Sequence, residues 1–113
     1  MTAAQFGWFD GISSYAALEH LTNTADAWRT LNRLLKPTSA GGGVMVHAFP
    51  SQWHLDFDDS AIQIAGHSCV FSRKSLRMMC DRAGFQLVKA DPPRFVGPHY
   101  HAVMSFRKVR DVP

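Results

Sequence analysis

Glu19 and His20 are adjacent, and they form the best acid–base pair in this chain of 113 residues. A carboxylate beside an imidazole can take and return a proton near neutral pH. The other reading of His20 is a helix-start histidine packed against a sheet. Downstream, Trp53, His54, Asp56, Asp58, Asp59 and His67 crowd a stretch from Ser51 to Phe71 that has no clear period. Long aperiodic connections often carry function, and His54 or His67 could act there as a base. A solvated loop with Trp53 capping the core is the plainer alternative. Ser13, Ser14 and Tyr15 close a short apolar run, where the carboxyl end of a strand would meet a ligand. His99 and His101 are two apart in an alternating run, so they share one face of a strand. With His47 they could hold zinc, but no cysteine or carboxylate completes that set by spacing.

These residues need elements to position them. Phe9 to Tyr15 reads as a first strand, weakened at Gly11. Thr22-Asn23-Thr24 offers an N-cap, with Asp26 in the first turn of the helix that follows. Trp28, Leu31 and Leu35 recur at helical spacing, Ala27 and Leu34 widen the stripe, and Arg29, Asn32 and Arg33 take the polar side. Pro37 ends that helix. Thr38 to Gly43 reads as a flexible loop. Val44 to Phe49 is apolar almost throughout, as a strand covered on both faces would be. Ser72 suits an N-cap for a helix over Arg73 to Ala83, striped by Leu76, Met79, Cys80 and Ala83. Gly84 fits the left-handed position after a helix, with Phe85 folding back on Cys80. Gln86 to Ala90 and Tyr100 to Lys108 read as third and fourth strands, broken apart at Asp91-Pro92-Pro93.

Composition narrows the function. The net charge is +3 and 46% of residues are hydrophobic, so one modest domain can build a core. The basic residues are spread along the chain, which argues against nucleic-acid binding by charge. No apolar run approaches the ~20 residues of a membrane span, and the first residues lack the pattern of a signal peptide. Cys69 and Cys80 lie at no metal-motif spacing and read as reduced packing residues of a cytoplasmic protein.

Phe9-Asp10, Leu18-Glu19-His20-Leu21, Leu35-Lys36-Pro37 and Gly42-Gly43 occur in that order. Together they resemble the second half of a class I S-adenosylmethionine-dependent methyltransferase. Phe71-Ser72-Arg73, Leu76 and Ala83-Gly84-Phe85 fit the same pattern, so the resemblance covers residues 6 to about 108. It implies a single α/β domain over residues 1–113, a partial Rossmann-like fold with a short mixed sheet of about four strands and helices packed on it. It also implies methyl transfer from S-adenosylmethionine to a small-molecule acceptor. On that reading Ser13, Ser14 and Tyr15 lie beside the methionine end of the donor. Trp53, His54 and His67 contact the acceptor, and Glu19, His20 and His54 handle protons. Some related enzymes bind a divalent cation through a Glu-x-x-Glu-His run. Here Ala16 stands at the first of those positions, so no metal is expected.

The departures from the family pattern matter as much. No Gly-x-Gly loop follows a strand, and the acidic residue that would bind the ribose is missing. Gly41-Gly42-Gly43 precedes a strand instead. The chain alone is therefore expected to bind S-adenosylmethionine weakly or not at all and to be inactive. A rival reading is a non-catalytic methyltransferase-like module that pairs with a partner chain or with itself through an exposed Phe9–Tyr15 edge. A weaker rival is a small zinc-binding protein. If the edge drives association, Trp28 and Leu31 are expected to lose apolar cover, and a lysine at Ile12 to oppose pairing.

Overall fold

The computed structural model describes residues 6–15, 24–50, 73–90, 94–96 and 99–113. They form β1 (Gly11–Tyr15), α1 (Thr24–Leu34), β2 (Val44–Pro50), α2 (Arg73–Ala83), β3 (Phe85–Ala90), β4 (Arg94–Val96) and β5 (His99–Lys108). The sheet runs β1-β2-β5-β3, with β4 also paired to β5. β1 and β2 are parallel, and Ser14 stands opposite His47. β5 is antiparallel to β2 and to β3, so the sheet is mixed, as expected. The pairing of β3 slips between Leu87 and Lys89, a bulge that leaves Val88 60% exposed.

Both described helices pack on one face of this sheet. Trp28 from α1 and Leu76, Cys80 and Ala83 from α2 meet Met45, Phe85, Met104 and Phe106 in one buried cluster. Trp28 is fully buried, with its ring edge-on to Phe85 and Phe106 at centroid distances of 5.9 and 5.1 Å. Truncating a buried tryptophan of this kind costs roughly 3–5 kcal/mol. The expectation that Trp28 loses cover is therefore wrong, because β2, β3 and β5 supply its cover without any strand beyond β1. Leu31 is only half buried, as expected. Alternation then puts Val44, Val46 and Val103 on the other face of the sheet, 50%, 42% and 43% exposed.

The carboxyl end of α1 shows why the chain folds back as it does. The last four carbonyls of a helix have no partner within it. Here Leu31 O accepts from the Leu35 amide, Arg33 O from Gly7, and Leu34 O from Trp8 and Phe9. Asn32 O accepts from the Lys108 ammonium at 2.8 Å. Phe9 thereby sits in an isolated bridge to Leu35 instead of in β1, which starts at Gly11.

The same corner is tied to the chain's last residues. Lys108 is buried, yet its ammonium meets Asn32 O at 2.8 Å, Leu35 O at 3.1 Å and Asp111 at 3.1 Å. That fills the three donors of an ammonium. Asn32, expected on the polar side of α1, is fully buried. Its amide donates to Ala83 O at 2.7 Å and Arg110 O at 2.8 Å, and its oxygen accepts from the Val112 amide at 3.3 Å. Arg110 caps Asp81 O at the end of α2 at 2.5 Å. The loop expected to be flexible is a bonded 3-10 turn over Thr38–Ala40, whose Thr38 is held by Asp111 through both its amide and its hydroxyl.

Candidate functional site

The parallel strands β1 and β2 end side by side at Tyr15 and Pro50. Ligands of open α/β sheets sit outside such strand ends. Ser13 and Ser14 stand here with side chains on opposite faces, as neighbours on a strand must. Ser13 is exposed on the open face. Ser14 is half buried on the helix-covered face, with its Oγ 2.6 Å from Nδ1 of His47. Tyr15 pairs with Ala48 in the same ladder. Glu19, His20, Trp53, His54 and His67 lie outside the described residues.

His47 was read from the sequence as a candidate zinc ligand. It is fully buried instead, flanked by Trp28 and Phe106 at centroid distances of 6.3 and 6.0 Å. Nε2 of His47 lies 3.3 Å from Sδ of Met45, so both ring nitrogens are engaged. Burial pulls its pKa from 6.5 down to about 4, so the ring is neutral at pH 7. His101 pairs with Pro50 in the ladder, three residues past His47. That is on the order of 10 Å along the strand. Among the described residues no cluster of three His, Cys, Asp or Glu could hold a metal. The role of His47 was missed, although one signal was available. Alternation along β2 puts it on the same side as Met45, an inward position for an unpaired polar ring.

Two hollows flank the sheet. An apolar one of about 250 Å³ lies against the β1 edge, lined by Phe9, Gly11, Ile12, Leu31 and Leu34. A wider cleft of about 550 Å³ between α2 and β3 is lined by Leu76, Cys80, Phe85 and Leu87 among others. It lies toward the opposite edge of the sheet from β1. Its Cys80 is a free, buried thiol, whose pKa burial and then the neighbouring Asp81 push up to about 12. A thiol that resists ionisation is a packing group. Among the described residues no helix is long and apolar enough to cross a membrane.

With this geometry in hand, comparison with known proteins gives a consistent result. A family model described as a methyltransferase domain matches residues 2–90. The structure of the [4+2]-cyclase SpnF superposes with a TM-score of 0.66 at 14% identity, covering 93% of this chain and 51% of that one. A 1,6-didemethyltoxoflavin-N1-methyltransferase from Burkholderia thailandensis, solved with 1,6-didemethyltoxoflavin and S-adenosylhomocysteine bound, gives 0.64 at 19% identity, covering 92% and 45%. An S-adenosylmethionine-dependent methyltransferase from Mesorhizobium loti gives 0.65 at 14% identity, covering 90% and 62%. The chain thus spans between 45% and 62% of the length of these three structures. At such identities the likeness concerns the fold. No curated protein matches the chain.

Proposed function

Because the chain belongs to the methyltransferase domain family, we propose that it forms the acceptor-side part of an S-adenosylmethionine-dependent methyltransferase acting on a small molecule. The observation that carries this reading is the pair of parallel strand ends at Tyr15 and Pro50. They lie in a sheet that aligns over 92% of this chain with a methyltransferase solved with S-adenosylhomocysteine and a small-molecule ligand. Methyl transfer from a sulfonium is an in-line displacement, and the protein's main task is to hold donor and acceptor in line. In this reading Ser13, Ser14 and Tyr15 border the methionine end of the donor. Trp53, His54 and His67 border the acceptor, and Glu19, His20 and His54 are the proton-handling groups. The location in this reading is cytoplasmic.

Residues 1–113 act as one domain in this proposal. The sequence has no glycine-rich loop after a strand and no ribose-binding acid, so binding of the donor by this chain alone is weak. Isothermal titration with S-adenosylhomocysteine should therefore show no low-micromolar affinity. Tight binding would overturn the claim that the chain is inactive alone, and would favour a self-sufficient enzyme.

A second reading is favoured by the edge of β1, which has no further strand paired to it among the described residues, and by the hollow beside it. There the chain is a non-catalytic module of methyltransferase fold that pairs with a partner chain or a second copy through that edge.

A further inference from the structure

The direction of the backbone bonds in β1 decides which of its groups β2 leaves unused. The Val44 amide donates to Asp10 O at 3.1 Å, and Gly11 is in register with Val44. In a strand the amide and carbonyl of one residue point to the same edge, and successive residues alternate between edges. Asp10, Ile12 and Ser14 therefore turn their backbone groups to β2. Gly11, Ser13 and Tyr15 turn theirs to the other edge, where no described strand pairs with β1.

Beside that edge lies the apolar hollow of about 250 Å³, with Ile12 of β1 on one side and Leu31 and Leu34 of α1 on the other. Ala27, Leu31 and Leu34 make a stripe along α1, next to the buried Trp28 and Asn32. Ala27 and Leu31 are half buried, so this stripe is neither core nor fully solvated. β1 itself carries no charged residue, and the nearby Asp10 meets the Lys36 ammonium at 2.8 Å. Two such edges can therefore approach without charge repulsion.

We propose that β1 pairs antiparallel with β1 of a second copy of this chain, with Ile12 opposite Ile12 at the two-fold axis. The dimer rests on the non-catalytic module reading above, whose partner it names. A two-fold contact needs a patch that complements itself. Here Gly11 exchanges both its backbone bonds with Ser13 of the second copy, and Ser13 with Gly11. The hollow selects the register. With Ile12 opposite Ile12, a second isoleucine comes against Leu31 and Leu34. With Ser13 opposite Ser13, the group brought there would be the Ser14 hydroxyl, which already bonds His47 at 2.6 Å.

The helices agree with this pairing. α1 connects β1 to β2 and lies over both, Leu31 and Leu34 toward Ile12 and Trp28 against Met45. Neighbouring strands are about 4.8 Å apart. Two copies of α1 would therefore stand about 10 Å apart across the axis, a separation at which helices pack. They run antiparallel, so Asp26 in the first turn of each comes beside Arg33 in the last turn of the other. A contact through so short a strand forms at high protein concentration and dissolves on dilution.

The wild-type chain is enough for the first test. Amide hydrogen exchange followed by NMR should slow at Gly11 and Ser13 by at least about tenfold between low and high protein concentration. Tyr15 faces the same edge but lies outside the pair, so its exchange should not follow theirs. Light scattering on the same samples should show a dimer at the higher concentration. Under a mild oxidant, Ile12→Cys should then form an intermolecular disulfide beyond any formed by the wild type, which already has Cys69 and Cys80. Ser13→Cys, opposite Gly11 on the other face, should form far less. The exchange result stands whether or not a cysteine variant folds. Slowing at Tyr15 as well, with Ser13→Cys the variant that cross-links, overturns the Ile12-centred dimer and leaves the module reading standing. A dimer whose Gly11 and Ser13 amides exchange as in the monomer overturns both. A chain that stays monomeric at high concentration overturns the proposal and leaves that reading only with a different partner chain.

Discussion

The two ends of the sheet differ in what their described residues do. At the amino ends of β1 and β2, polar groups are matched one to one. Lys108 fills its three donors, Asn32 binds through both sides of its amide, and the last carbonyls of α1 are all taken. Residues 108–112 draw the ends of both helices and the Thr38–Ala40 turn into one clasp. At the carboxyl ends, the described polar pair is a serine–histidine bond, and no second described strand pairs with β1. Matched buried polar groups fix a structure, because losing one partner leaves the other unsolvated. Among the described residues the matched polar groups gather at the amino ends, and there they fix the fold.

Gly84 offers the sharpest way to break the rigid end. Its φ is +77°, and an added Cβ would come 2.5 Å from Arg110 O and 2.8 Å from Nδ2 of Asn32. Those are the clasp's own atoms, and one is backbone that cannot swing away. Gly84→Ala should therefore cost roughly 4 kcal/mol, from the left-handed strain together with loss of the tail's hydrogen bonds. Urea unfolding would show it as a large fall in midpoint. A loss under about 1 kcal/mol would mean the clasp yields easily, and the contrast between the ends would be weaker than it looks.

This clasp was the least legible part of the sequence. Local periodicity located the helices and main strands well: α2 spans Arg73–Ala83 as read, and β2 and β5 are close to expectation. Gly84 carries the left-handed backbone its position called for. Asn32 and Lys108 gave no such signal, since each looks like an ordinary surface residue of its element. Their burial depends on contacts 51 to 80 residues apart in sequence, which no local pattern encodes. The short β4 was missed because three residues show no period. For the site, the strand-end serines were legible from the chain's rhythm. The His47 partnership was not, because it needs the register between β1 and β2.

Acid should separate the two ends. Asp111 is held below its usual carboxylate range by the Thr38 amide, then the Lys108 ammonium and the Thr38 hydroxyl, so the clasp stays charged well into acid. His47 behaves in the opposite sense. Its folded pKa of about 4 lies below the ordinary 6.5, so the unfolded chain binds the proton more readily. Its stabilising contribution is complete above pH 6.5, falls as pH drops below that value, and is gone once the folded pKa near 4 is passed. The loss is on the order of 3 kcal/mol over that window. Urea midpoints measured from pH 7 to pH 4 should decline in the wild type and decline less in His47→Leu. Equal slopes would show that some other group carries the acid sensitivity.

The smallest effect on stability should accompany the largest effect on association, and it belongs to the open side. β1 ends the sheet, so half of its amides and carbonyls have no neighbouring strand among those described. It is short and has neither proline nor lysine, the usual guards of an edge. Val44, Val46 and Val103 extend exposed apolar surface from it across the face opposite the described helices. The hollow between β1 and α1 extends it on the other side. The chain should therefore associate with a second copy through β1 unless another segment covers the edge. Ile12 is the wrong place to test this, contrary to the sequence-based expectation. It packs against the core, so a lysine there would confound association with unfolding. Ser13 is exposed, and its side chain points away from α1. Ser13→Lys should change stability by no more than about 0.5 kcal/mol while shifting the chain toward monomer in light scattering. Val46→Lys separates the edge from the face: it should have little effect if the strand edge makes the contact, and a strong one if the valines do. A wild-type chain that stays a well-folded monomer at high concentration would show that this end of the sheet is closed after all.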